Sequence, residues 1–246
     1  MAIAGVIVAR LVQAAPELRI DWTKMPTYNT IMAVAAGVGL LLVVALGRRL
    51  LSGQVPDHFD GWALAFGVLG LILTATGLHM TLTWPLAGQG FPFDNIVFGE
   101  PSLAFGVLML AAAVYLWFRG VLLAAALDRL GVLARTAGPV SLFVLGMGLG
   151  CFGIAAAGWT YTLFVAPPQE PISGAFASMP LLEATFISGL YVLVGLGAAL
   201  FPFALRARGG RLATAVGVCW GLAGLAFTLF GALNYFTHIG LIINTM

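Results

Sequence analysis

Among the side chains of this sequence that can hold a metal or pass a proton, five are candidates for one site: His79, Asp94, Glu100, Glu183 and His238. Imidazole with carboxylates is a donor set for copper or zinc, and it also suits iron or manganese. The same two groups within hydrogen-bond reach would serve as an acid–base pair. His79 is the expected first ligand. Glu100 is expected as a second ligand or as the carboxylate that orients the ring. Asn29, Asn95, Tyr161 and Asn234 are the neutral polar groups expected to support them. No His-x-x-x-His, His-Glu-x-x-His or Cys-x-x-Cys spacing occurs, so a metal rests on residue type and place alone. The plainer alternative is a hydrogen bond from His79 to Glu100 or to a backbone carbonyl that ties two antiparallel helices. Asp94-Asn95, following Phe91-Pro-Phe93, reads first as turn chemistry.

A membrane is what must position these groups. Hydrophobic residues make up 61% of the chain and charged residues 8%, with mean hydropathy +1.04. A water-soluble domain of 246 residues does not carry so few charges. The expected fold is all-α, a polytopic bundle of about six spanning helices. The spans are predicted near Thr30–Gly47, Gly61–Trp84, Pro101–Phe118, Pro139–Val165, Leu181–Leu205 and Leu212–Ile239. Residues 30–246 form this domain, and residues 1–29 form an outer, interfacial segment. Met1–Ala15 is too short to span and reads as a helix lying in the interface. Val121–Leu133 reads as an amphipathic helix on the inner surface or as an extension of the third span. Cys151 and Cys219 fall inside apolar runs and are expected to pack as small apolar residues.

Charge sets the expected orientation. Arg48 and Arg49 follow the first span, Arg119, Arg129 and Arg135 the third, and Arg206, Arg208 and Arg211 the fifth. The opposite loops hold Asp94, Glu100, Glu170 and Glu183. The positive-inside rule then places the arginine loops in the cytoplasm and both termini outside the cell membrane. The net charge of +2 therefore reports topology, and no nucleic-acid partner is expected. Counted from the inner ends at about 1.5 Å per residue, Asn29, His79 and Glu100 lie roughly 27–28 Å up. Glu183 lies at roughly 35 Å and His238 at roughly 40 Å. That offset disfavours a haem held between His79 and His238. Copper or zinc is the expected cofactor class if there is one.

The spans group into three hairpins that each begin at the outer side, near Pro26, Pro101 and Pro180. Gly146 with Gly150, and Gly217 with Gly221, are small-xxx-small pairs. They are expected to pack within the bundle, with a contact face for another membrane subunit as the alternative.

Three stretches carry a family resemblance. They are Pro26–Met32, the run from Phe59 through Leu86, and Phe91–Ser102. Together they resemble an uncharacterised family of multi-pass membrane proteins, actinobacterial and archaeal, that is filed as a domain of unknown function. The resemblance implies no activity. It does gather around Asn29, His79, Asp94, Asn95 and Glu100.

The expected function is an accessory subunit of a larger, redox-linked membrane complex, with other membrane subunits or further copies of the chain as partners. One alternative is a transporter or channel for a small solute or metal ion. The scarcity of ionisable groups at mid-membrane argues against a proton pump. The other alternative is a stand-alone membrane enzyme with His79 and Glu100 at its site.

Overall fold

Six apolar runs leave the backbone no polar partner but itself, and each closes into a helix. The computed structural model describes residues 20–22, 27–54, 56, 58–83 and 92–246. Among the described residues there is no strand, and the helices are α1 Asn29–Leu51, α2 Asp60–Leu82, α3 Glu100–Ala125, α4 Arg129–Thr160, α5 Pro180–Ala207 and α6 Gly210–Thr245. All six are long and apolar enough to cross a membrane. The interfacial helix expected over Met1–Ala15 lies outside the described residues, as does Trp84. The helices have one arginine end, where Arg48, Arg119, Arg206 and Arg211 sit, and a far end opposite it.

Val121–Leu133 does not form a separate surface helix. It is divided between the last turns of α3 and the first of α4. Asp128 makes the break by accepting a 2.9 Å hydrogen bond from the Gly131 N–H, an N-cap for α4. At the next return, Gly209 and Gly210 adopt φ of 124° and 73°. A residue with a side chain would be strained there, and this reversal lets α5 run into α6 across two residues.

Three pairs pack closely: α2 with α3, α4 with α5, and α1 with α6. The hairpins expected from the sequence share their connections at the arginine end. The close pairs instead meet through the far-end connections, or, for α1 and α6, through no connection at all. Small residues decide this, because lipid tails are as apolar as leucine and give helices no hydrophobic reason to associate. Gly106 lies against Thr74, Gly77 against the backbone of Leu103, Gly37 against Thr228 and Gly224, and Gly148 against Gly195 and Ala198. The expected small-xxx-small pair Gly146 and Gly150 is not part of this packing. Gly146, Gly150 and Gly153 have nothing within 4 Å of where a Cβ would stand, and they point away from the bundle. Gly148, between the first two, makes the contact.

Neighbour contacts run α3, α2, α1, α6, α5, α4. The ring stays open at one seam, since α3 and α4 scarcely touch. This opening governs the site.

Candidate functional site

The titratable groups at the far end separate into three places. The Tyr28 hydroxyl lies 2.7 Å from Nδ1 of His79, with the two rings edge-on at 5.7 Å between centroids. This pair ties the start of α1 to the last turn of α2. Glu100 is exposed at the first turn of α3 and has no hydrogen bond or ion pair among the described residues. His79 is therefore paired with Tyr28 and not with Glu100.

The second place is the entry to α3. Asn95 is buried and opens a π-helical turn, Asn95–Gly99. Its amide donates to the carbonyls of Met80 and, at 3.0 Å, of Thr83. It thus satisfies carbonyls at the end of α2 that the helix itself leaves open. The Tyr191 hydroxyl donates to the Val97 carbonyl at 2.6 Å and fixes the same turn from α5. Asp94 precedes the turn, and burial pushes its carboxyl up to about 7. The unfolded carboxyl titrates near 3.8. Between those values the unfolded chain has lost a proton that the folded chain keeps, so stability falls as pH rises through that window and is lowest above it. Asp94→Asn should flatten the pH dependence of the unfolding temperature between about 4 and 7; thermal melts at stepped pH check this, and an unchanged slope would contradict it.

The third place is the connection 161–179. Glu170 is 9% exposed and stands 3.7 Å from Nε2 of His238 on α6. Burial pushes the Glu170 carboxyl up, and the Thr237 hydroxyl nearby holds it back in part without reaching hydrogen-bond geometry. Glu183 accepts a 2.8 Å hydrogen bond from the Ala166 N–H. Both carboxylates thus pin the connection to the helices. Tyr161 is exposed just past the end of α4. Glu170 was not singled out by sequence reasoning; between two prolines in a loop, it gives no sign of burial. Among the described residues, no three His, Cys, Asp or Glu side chains gather as a metal site would need.

A further feature is apolar. A cavity of about 370 Å³ lies inside the open ring, lined by α1, α3, α4, α5 and α6. It follows α1 from Asn29 to Val43, about 20 Å at 1.5 Å per residue. Near the arginine end Phe201 and Trp220 stand side by side, 5.4 Å between ring centroids. Toward the far end Tyr191 lines the wall, with Phe164 stacked on it at 6.2 Å. The cavity reaches the bundle surface at the seam: Val140 of α4 lines it and is 44% exposed. The described lining carries no charged side chain. Two of its polar groups are already used, since Tyr191 bonds Val97 and the Trp220 indole N–H donates to the Val194 carbonyl at 3.1 Å. Asn29, Ser102 and Asn234 line it at the far ends of α1, α3 and α6 and have no hydrogen-bond partner among the described residues. An amide left unpaired in such surroundings costs on the order of 1–3 kcal/mol. Asn29 and Asn234 were expected as supporters of a histidine site; they belong to the cavity.

A protein-family model described as protein of unknown function (DUF981) matches residues 25–240. No curated protein and no solved structure matches the chain.

Proposed function

We propose that this chain, which belongs to the family described as protein of unknown function (DUF981), holds an elongated apolar molecule taken from the surrounding bilayer. The observation that carries the reading is the uncharged cavity that opens sideways between α3 and α4. Its volume falls within the range of ligand sites, about 300–1,000 Å³. Its length suits an extended hydrocarbon or isoprenoid chain, and a seam facing lipid admits such a chain without passage through water. With the arginine ends in the cytoplasm of a cell membrane, the polar end of the cavity faces outward.

The test places a photo-reactive residue on either side of α4. Val144→p-benzoylphenylalanine, inside the cavity, should capture one class of apolar molecule in living membranes. Leu149→p-benzoylphenylalanine, on the exposed side of the helix, should capture mixed phospholipid. Identical products from the two positions would remove the reading.

A second reading, an accessory subunit of a larger membrane complex, has its own support. Gly146, Gly150 and Gly153 form an uncovered small-residue face on α4, the type of surface along which transmembrane helices approach closely. The two readings are compatible, because the face and the cavity lie on opposite sides of the helix.

A further inference from the structure

We infer that the cavity selects apolar chains that end in an uncharged, oxygen-bearing group, a hydroxyl or a carbonyl, seated against Asn234, Asn29 and Ser102. This rests on the cavity being a binding site and names what the site prefers. Asn234 is 8% exposed, lines the cavity and has no hydrogen-bond partner among the described residues. A side-chain amide offers two donors and an acceptor, so it can serve either end group. Buried polar groups are normally paired, and the cavity that this amide lines offers it space for a partner.

The neighbouring positions fit the same end group. Gly231 packs on Ala33 and Val34, so Asn234, about one turn further along α6, comes level with the start of α1, where Asn29 stands. Ser102 contributes a hydroxyl from α3. A phosphate would meet no Lys, Arg or His in the described lining, and an unpaired buried charge is far costlier than a paired hydroxyl. Below this end the lining offers only apolar surface, apart from the Cys151 thiol and groups already bonded. One polar head and one long apolar tail is the chemistry the walls describe.

The experiment loads the full chain in lipid nanodiscs and measures retained molecules by native mass spectrometry. The probes are a polyprenol, an isoprenoid quinone, squalene as a chain without a polar end, and phosphatidylglycerol as a charged one. The wild type should retain the polyprenol or the quinone over squalene and phosphatidylglycerol. The polyprenol alone identifies a hydroxyl-ended ligand, and the quinone alone a carbonyl-ended one. Asn234→Leu should cut the preference over squalene about tenfold, the effect of one or two hydrogen bonds, while squalene itself is retained as before. The double variant Asn29→Leu with Ser102→Ala repeats the test should Asn234→Leu fail to fold. A preference unchanged in a folded variant, or phosphatidylglycerol retained best by the wild type, would overturn the inference. Ala104→Phe, which fills the cavity, separates the two claims. If it removes every probe while Asn234→Leu alters no preference, the cavity reading stands and the inference falls. If it removes none, both fall.

Discussion

Gly37→Val is expected to prevent the chain from folding into a stable bundle. A Cβ at position 37 would collide with the backbone N–H of Thr228 and stand 2.7 Å from the carbonyl oxygen of Gly224. Both are helix backbone, so neither can swing away as a flexible side chain would. Overpacking a core by a few methyl groups costs about 1–3 kcal/mol where side chains can adjust. Here whole helices must separate, and the loss should reach or pass about 3 kcal/mol. Gly106→Val should behave alike, because its Cβ would meet Thr74 on α2 and stand 2.8 Å from the Leu73 carbonyl carbon. Gly150→Val is the contrast. It meets nothing within 4 Å, so the unfolding temperature of the isolated chain should barely move. If the small-residue face of α4 receives another subunit, Gly150→Val should instead release that subunit. Size-exclusion profiles and thermal melts of the three variants check these outcomes; a monodisperse, thermally stable Gly37→Val protein would contradict the packing described.

That contrast also marks what was legible in the sequence. The six spans could be read directly, since about twenty apolar residues without charge are long enough to cross a bilayer and have little else to form. The observed ends lie beyond the expected ones at the arginine side of the third and fourth spans. There the arginines sit on helix rather than in loop: Arg119 is in α3, and Arg129 and Arg135 are in α4. Which helices pair was not legible. In water an apolar stripe marks the buried face, but in lipid both faces are apolar. Gly146 and Gly150 have the expected spacing and face outward, whereas Gly148 makes the contact. Spacing says that a helix can be approached closely and does not say by what.

Filling the cavity is the second substitution expected to have a large effect. Ala104→Phe puts a ring into the space between α3 and α4, and Ala104 is itself a lining residue. The cavity has room for the ring, so the fold should hold and the melting temperature should stay near that of the wild type. What should disappear is the bound apolar molecule, with occupancy reduced at least about tenfold, the effect of 1.4 kcal/mol or more of lost contact. A variant that keeps both its stability and its bound molecule would mean that the cavity is not where the molecule sits.

Sequence reasoning found the far end by its polar residues, and part of that was informative. Asn29 and Asn234 lie at the end of the cavity, while His79, Asn95 and Glu183 fasten one element to another through Tyr28, Met80 and Ala166. A histidine or a carboxylate stands out in an apolar sequence whatever it does. A cavity walled by alanine, valine, leucine and phenylalanine does not, because its walls have the composition of any helix in lipid. It exists through the failure of α3 and α4 to meet, and no residue announces that.

The most direct measurement is native mass spectrometry of the wild-type chain released from its own membranes in mild detergent. One apolar molecule of a single chemical class should be retained per chain, and it should be absent from Ala104→Phe. A bare chain, or the same phospholipid mixture on wild type and variant, would contradict this.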